Sequence, residues 1–468
     1  MRPSCYLNAV EIGGGNSLLY NGFSMCIDVV PSGIARCLAS SVDEGDLSFL
    51  EPSEKEYLAR RGHLTKLSVE GEREELGRLA HAIALRDSEL NRQPLRGKMI
   101  TFILTYRCNL ACTYCFQNPV REMSPRSAMS EAFVEDFLRR PLGKIFPGTP
   151  PENLRFILFG GEPLLPGNRG TIERILRYAK DHGIVVSTAT NALMLPRMLD
   201  LVGPGYGRIQ NVQVTLDGEQ VFHDETRVTS SGAPTFEKTI HALRRLIEAE
   251  AKAIVRVHLH PGRLESTRTL VEYLERENIL GHDNVEIYFA PVHSFHAEDI
   301  SSLDSGVFSR LFEYVALRQK KPPIQNFDFL ERIMNVETVR NWVQPRYCAV
   351  SSGTHYAVDP LGDLYECLEE AGDREKRIGT VSGGEIEYFE LREVYKGRYL
   401  ANMPECLKCS IALICGGGCI SRTRTQGGAV FDRFCRQNKV FVGETLKVCY
   451  LLNHAGRSGS ATVPVCPG

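Results

Sequence analysis

The sequence predicts an α/β protein: a partial (βα)6 barrel, with a small α+β domain before it and a cysteine-rich domain after it. Three observations predict this. Between residues 97 and 292, short β-rich runs alternate with helical stretches, the pattern of parallel strands joined by crossover helices. Three cysteines, Cys108, Cys112 and Cys115, directly follow the first of these runs. Seven more cysteines between positions 348 and 435 form a second array.

The candidate strands are Ile100–Thr105, Leu154–Phe159, Ile184–Thr188, Asn211–Leu216, Ala253–His258 and Val285–Ala290. Their near-continuous apolar content predicts strands covered on both faces. Helical patterns lie between them at Arg169–His182, Thr235–Ala251 and Ser266–Asn278. With six βα units and no clear seventh or eighth, the barrel is expected to be open, its chemistry on the loops after the strand C-termini.

Residues 1–96 read as a separate unit. Asn21-Gly22 predicts a tight hairpin turn between Ser17–Tyr20 and Met25–Val30, and helices are expected from Pro31–Leu38 and Glu51–Gly62. A hairpin with two or three helices matches a small winged-helix module, and equally an ordinary packing domain. The expected boundaries are 97–322 for the barrel, 323–345 for a bridging segment after Lys320-Lys-Pro-Pro323, 346–450 for the cysteine-rich domain and 451–468 for a frayed tail rich in Gly, Ser and Pro.

The chain has 468 residues, a formal net charge of -2 and 43% hydrophobic residues, enough for a large core. Near-neutral charge gives no basis for a nucleic-acid or anionic-membrane partner. The N-terminus lacks the basic and apolar regions of a secretory signal, and no apolar run is long enough to span a membrane. A cytoplasmic protein is expected. Ten of its 15 cysteines fall in the two spaced groups, which in an unexported chain argues for metal rather than disulfides.

The first group reads Cys108-Asn-Leu-Ala-Cys112-Thr-Tyr-Cys115, the spacing Cys-x3-Cys-x2-Cys. Three thiolates on one loop can hold three irons of a [4Fe-4S] cube and leave the fourth iron open to a small ligand. A zinc knuckle would ordinarily bring four ligands in two pairs. The run resembles the signature of the radical S-adenosylmethionine (SAM) enzymes, including Tyr114 at the aromatic position before the last cysteine.

Further residues carry the same resemblance. Gly160-Gly161-Glu162-Pro163 after the second strand looks like the family motif that holds the SAM amino group, the glycines permitting close backbone approach and Glu162 accepting from the ammonium. Ser187-Thr-Ala-Thr-Asn191-Ala192 is similar to the family's Thr-Asn-Gly run near the SAM carboxylate or ribose, with Ala192 in place of glycine. Gln213-Val-Thr215-Leu-Asp-Gly218, followed by His223-Asp224 and Arg227, matches its Ser-Leu-Asp-Gly and His-Asp-x-x-Arg sequence. The resemblance implies that Thr215 binds the ribose, Arg227 the SAM carboxylate and the Tyr114 backbone the adenine, with Val292 bordering it. His223 reads as an ordinary loop histidine. Arg256 reads either as a second anion contact or as a solvated charge.

In the second array Cys348 precedes Gly362-x4-Cys367, then Cys406, Cys409, Cys415 and Cys419 as Cys-x2-Cys-x5-Cys-x3-Cys, then Cys435. All seven match the SPASM domain, a C-terminal extension of radical SAM enzymes with two auxiliary clusters. The resemblance implies that Cys406, Cys409, Cys415 and Cys435 hold the outer cluster and that Cys348, Cys367 and Cys419 hold the inner one. The cysteine found in fully ligated relatives shortly before Cys348 is absent from Asn341–Tyr347. Either a distant cysteine completes the inner site or its open iron binds a substrate thiolate. Of the remaining cysteines, 5, 26, 37, 449 and 466, Cys26 and Cys37 read as small buried hydrophobes. Cys449 reads as inert and buried, or as a late ligand or hydrogen-atom donor.

The resemblance covers about residues 97–450. It implies three [4Fe-4S] clusters, SAM, a flavodoxin- or ferredoxin-type electron donor and a 5′-deoxyadenosyl radical that abstracts hydrogen from a ribosomally made precursor peptide. The expected product is a thioether or C–C crosslink. The alternatives are formylglycine formation in a sulfatase, peptide epimerisation, or a non-catalytic metal-stabilised adaptor. Sulfatase maturases place an aspartate immediately after the second SPASM cysteine, where this chain has Leu368.

Overall fold

A computed structural model describes residues 1–41, 46–92, 97–123, 128–260, 262–292, 306–324 and 343–454. The chain divides into two compact units, one comprising Ser88–Ser302 and Ala349–Gly397, the other Met1–Asp87, Leu303–Cys348 and Arg398–Gly468.

The first unit is built on six parallel strands, β1 (Lys98–Thr105), β2 (Leu154–Gly160), β3 (Val185–Thr190), β4 (Ile209–Leu216), β5 (Lys252–Leu259) and β6 (Val285–Pro291), each paired with the next. All six expected strands are present. The register aligns Phe102, Leu158, Thr188, Val212, Ala253 and Val285 in one buried row. Between strands run helices whose apolar residues recur at helical spacing. In Arg169–Asp181 the buried residues are Thr171, Ile172, Ile175, Leu176 and Ala179; Phe236–Glu248 and Leu264–Arg276 repeat the pattern.

Burial on both faces is not what the strands show. In β2 to β5, fully buried positions alternate with partly exposed ones such as Ile157, Phe159, Ser187, Gln213, Thr215 and Arg256. One face is closed by packing and the other is more open. A lumen-facing Gln, Thr or Arg interrupts the apolar run without ending the strand, so composition overstated the second face.

Among the described residues the six strands do not close into a ring. Instead, β7 (His355–Val358) pairs in parallel with the outer edge of β1, and β8 (Asp363–Tyr365), β9 (Gly379–Ser382) and β10 (Glu385–Tyr388) continue antiparallel, giving ten strands in the order β6-β5-β4-β3-β2-β1-β7-β8-β9-β10. Pairing covers an edge that would otherwise expose unpaired backbone groups. The expected 346–450 segment is thus cut at 397, its first part extending the barrel's sheet.

The second unit holds a three-stranded antiparallel sheet, Leu7–Gly13, Asn16–Asn21 and Ile27–Pro31. Helices Ser32–Ser40 and Pro52–Arg60 pack on it around Leu19, Val30, Leu38, Leu50 and Leu58. The strand Leu7–Gly13, turned by Gly13-Gly14-Gly15, escaped the sequence reading. The hairpin does form, but not with a tight turn at Asn21-Gly22: its last pair is Tyr20 with Ile27, and the loop uses Met25 at φ 60°. Asn21 Oδ1 accepts from the Phe23 and Ser24 amides at 2.8 and 2.9 Å. Gly22 serves close packing instead, since a Cβ there would lie 2.0 Å from the Ser410 carbonyl oxygen.

Helix Gly306–Gln319, whose residues fall inside the segment expected to belong to the barrel, packs in this second unit on the terminal helix Arg436–His454 through Phe308 and Phe441, ring centroids 5.6 Å apart. The terminal helix runs four residues past the expected boundary at 450. Cys37 is exposed rather than buried, because its helix turns Ala35 and Leu38 inward. Most of the bridging segment (325–342), the end of the tail (455–468) and Cys466 lie outside the described residues. Among the described residues, no helix is long and apolar enough to cross a membrane.

Candidate active site

The loop after β1 carries Cys108, Cys112 and Cys115, of which Cys112 is buried and the other two half-buried. The loop is held from two sides. On one side the Gly161 amide donates to Thr105 O at 2.8 Å and the Glu162 amide to Arg107 O at 2.9 Å. A Cβ on Gly160 would meet Thr105 O at 2.3 Å, and one on Gly161 would meet Arg107 O at 2.2 Å. The cysteine loop's own backbone therefore requires the glycine pair, in addition to the close ligand approach expected of it.

Glu162 is 0% exposed. Its Oε1 accepts from Leu164 N at 2.8 Å and Thr190 Oγ1 at 2.7 Å, and its Oε2 from Asn191 N at 2.8 Å. Burial raises its pKa while these bonds oppose the rise. A carboxylate offers about four acceptor sites, so one remains on Oε2. The Asn191 side chain reaches Asn109 Oδ1 at 2.7 Å and Cys108 Sγ at 3.6 Å. Ala192, where the family pattern has glycine, adopts φ 67°, a left-handed conformation that favours glycine.

On the other side the Tyr114 hydroxyl donates to Asp217 Oδ1 at 2.9 Å and accepts from Arg227 Nη1 at 2.7 Å. His258 Nδ1 lies 3.0 Å from Asp217 Oδ1, and Thr226 Oγ1 donates to Asp217 Oδ2 at 2.9 Å. The Tyr114 ring meets the His258 and His260 rings edge-on, centroids 5.2 and 5.3 Å away. Burial would raise the Asp217 pKa, but the His258 hydrogen bond, the nearby His260 Nε2 at 3.4 Å and the Arg227 charge hold it well below the usual range. Burial and Arg256 push His258 down to about 4, so it is neutral at pH 7. Asp217, His258 and His260 have ligand atoms within 4.8 Å of one another. Tyr114, Thr226 and the nearby Arg227 already satisfy that carboxylate, so the group reads as an anchor for the cysteine loop.

Sequence reasoning missed His258 and His260. The signal available was their i, i+2 spacing at the end of β5, which placed them on one face. His223 is a fully buried clamp, accepting from Asp217 N at 3.4 Å and bonded to Thr235 Oγ1 at 3.2 Å. Burial and Arg227 lower it to about 3; it is structural, on a short helix rather than a loop.

Thr215 and Ser187 lie on the more open face of the sheet, the latter accepting from Asn211 Nδ2 at 3.1 Å. Arg256 stands in register with Thr215 and Tyr288, and its Nε is buried with no hydrogen-bond partner among the described residues. Tyr288 donates to Gln213 Oε1 at 2.8 Å, and Arg256 and Glu369 both act on its phenol electrostatically. Val292 is 1% exposed, its amide bonded to Leu259 O at 3.1 Å.

In the second unit Cys406 is pushed up to about 12 by burial and then by Cys415, Cys409 and Cys435. These are the four thiols expected to share one site, and the fold brings them together. Asn438 donates to Cys415 Sγ at 3.2 Å. The N-terminal sheet braces this loop: the Tyr6 hydroxyl donates to Leu407 O at 2.5 Å, and Asn8 and Ser410 exchange bonds of 2.6 and 3.1 Å. Cys348 and Cys419 belong to this unit and Cys367 to the other.

Residues 102–274, which include the first cysteine loop, match the family model described as the Radical SAM superfamily. This segment is a radical SAM domain. The chain is 24% identical over 344 residues to a serine-type anaerobic sulfatase-maturating enzyme of Klebsiella aerogenes, covering 70% of this chain and 80% of the relative. It is 23% identical over 362 residues to the radical SAM cyclopropyl synthase TigE of Paramaledivibacter caminithermalis, covering 71% and 70%. Among solved structures, native anSMEcpe with bound AdoMet superimposes with TM-score 0.59 at 17% identity over 76% of this chain and 99% of that one. SuiB of Streptococcus suis bound to precursor peptide SuiA superimposes with TM-score 0.50 at 14% identity over 93% and 99%. The chain thus carries a radical SAM domain and is similar in sequence to anaerobic sulfatase-maturating enzymes and to the cyclopropyl synthase TigE.

A radical SAM domain implies a [4Fe-4S] cluster and SAM, and the residues present fit both. The donor set of three thiols on one loop suits a cube with an open iron. The spare acceptor on Glu162 and the half-buried Arg256, whose Nε is buried without a partner among the described residues, are an acceptor and a cation, the two groups an amino acid's ammonium and carboxylate require.

Proposed function

We propose that the protein is a radical SAM maturase that modifies a ribosomally made precursor peptide, most simply by a thioether or C–C crosslink. The observation that carries the reading is the three-cysteine loop locked between Glu162–Asn191 and the Tyr114–Asp217 network, in a chain similar to sulfatase-maturating enzymes and to a structure bound to a precursor peptide.

In this reading Cys108, Cys112 and Cys115 hold the cluster, and Glu162, Arg256, Thr215, Ser187, Asn191 and Arg227 surround SAM, with Gly160 and Gly161 shaping the loop and Val292 at its border. When bound and reduced by a flavodoxin- or ferredoxin-type donor, this pair supplies a 5′-deoxyadenosyl radical. The chain's own groups do the rest. Asp217, anionic and buried, fixes the Tyr114 ring and so the loop between Cys112 and Cys115. Arg227, already bonded to Tyr114, adds positive charge beside the site rather than a free fork. The half-open face carrying Gln213, Tyr288 and Glu369 offers polar partners to a peptide backbone. Cys406, Cys409, Cys415 and Cys435 would hold an outer auxiliary cluster, and Cys348, Cys367 and Cys419 an inner one. The N-terminal sheet and helices are the candidate leader-binding module.

Formylglycine formation is the second reading, favoured by the sulfatase-maturating relatives. Leu368 occupies the place of the expected aspartate, but Glu369 follows it and acts on Tyr288. Co-expression with a neighbouring short reading frame, followed by mass spectrometry of the peptide, separates the two. A crosslink removes two hydrogens and joins two residues. A formylglycine instead changes a single Cys or Ser, and finding that would replace the first reading.

A further inference from the structure

Arg398 is 5% exposed. Its guanidinium donates to four backbone carbonyls, Nη1 to Val430 and to Asp432 at 3.0 Å, Nη2 to Gly417 at 3.3 Å and Gly418 at 3.0 Å. Gly417 and Gly418 lie between Cys415 and Cys419, and Val430 and Asp432 lead into Cys435. One planar fork therefore ties together two loops that carry three cysteines. Among the described residues Arg398 has no carboxylate partner.

A guanidinium stays charged at any pH a protein meets, and a buried charge without a counter-charge is costly. The groups that favour its charge, against burial, are Cys406, Cys348, Cys419 and Cys415. As free thiols these are neutral; as metal ligands they are thiolates. The cation thus gains its anion only when the array is loaded with metal.

We propose that Arg398 is the counter-cation of the auxiliary iron–sulfur array, a positioning residue that fastens the Cys415–Cys419 and Cys435 loops and raises the reduction potential of the outer cluster, to which Cys415 and Cys435 belong. The inference rests on reading that array as cluster ligands. Reduction adds negative charge to a cluster in a low-dielectric surrounding, so a fixed cation beside it favours the reduced form. With all four Nη hydrogen bonds given to carbonyls, Arg398 acts through its field and through the loops, not as a ligand.

The test uses full-length protein reconstituted anaerobically, wild type against Arg398→Gln and Arg398→Lys, with iron and sulfide analysis and a redox titration of each cluster followed by electron paramagnetic resonance. Wild type should hold about twelve irons. Arg398→Gln should lower one auxiliary potential by at least about 59 mV, a tenfold shift in a one-electron equilibrium, and leave the radical SAM cluster unmoved. Arg398→Lys should stay near wild type. A fully loaded Arg398→Gln protein with wild-type potentials overturns the proposal. Should Arg398→Gln fail to load, Arg398→Lys decides. Full iron at the wild-type potential supports a role for charge, and an iron-poor protein overturns it in favour of a loop clamp alone. A wild-type protein with only about four irons would sink the cluster reading itself, and Arg398 with it.

Discussion

Backbone sterics set the terms at single residues around the cysteine loop. Gly161→Ala places a methyl 2.2 Å from Arg107 O, and relief requires moving the loop that bears Cys108. We expect purified Gly161→Ala to lose the radical SAM cluster's iron and at least about 2 kcal/mol of stability; urea melts and iron analysis check this, and wild-type values for both would refute the packing argument. Ala192→Gly should do the reverse. At φ 67° alanine carries a left-handed penalty of about 1–2 kcal/mol, partly offset by the greater chain entropy of glycine when unfolded. A gain of up to about 1 kcal/mol in the same melts is expected; a loss would show that Ala192 is not strained. The sequence revealed Cys108, Cys112, Cys115 and Glu162 because fixed spacings carry their chemistry. It did not reveal His258 and His260, whose partners Tyr114 and Asp217 lie far away in the chain, nor that the cysteine loop's own backbone at Thr105 and Arg107, 55 and 54 residues distant, also demands Gly160 and Gly161.

The strand β7 is the element that distinguishes this barrel from an isolated six-stranded sheet. His355 begins it, is 5% exposed and bonds Thr101 Oγ1 on β1 at 2.9 Å. Burial lowers His355 to about 4, below the value near 6.5 of an unfolded chain. The unfolded state therefore binds the extra proton first. Stability from this residue is full above pH 6.5 and falls as pH drops toward 4. At pH 5 the loss is about 2 kcal/mol. His355→Asn should flatten the fall in urea midpoint between pH 7 and pH 5 in the apo-protein; a variant with the same fall as wild type would remove His355 from the account. All six barrel strands were readable because each is a compact apolar run between helices. The four strands after residue 354 were not, being three or four residues long and stabilised by pairing, β7 to β1 and the other three in series beyond it, rather than by a pattern of their own.

In the molecule as a whole, the unit that contains the N-terminal sheet also contains the Cys406–Cys435 loops, and Tyr6 and Asn8 bond directly to the backbone at Leu407 and Ser410. Removing residues 1–62 should therefore reduce auxiliary iron, not just peptide affinity. Iron analysis of the truncated protein would show about eight irons or fewer in place of about twelve; full loading would make the two regions independent. This joining of chain ends was unreadable in the sequence, which marks domains by composition and cannot show that residues 8 and 410 meet. The central claim is that Cys108, Cys112 and Cys115 would hold a cluster with one iron left open to SAM, and that this cluster would supply the electron for SAM cleavage. It is tested most directly by reducing the reconstituted protein anaerobically with SAM and quantifying 5′-deoxyadenosine beside Cys112→Ala. The account predicts steady 5′-deoxyadenosine from wild type and none above background from the variant. Equal yields from both, or none from a fully iron-loaded wild type, would contradict it.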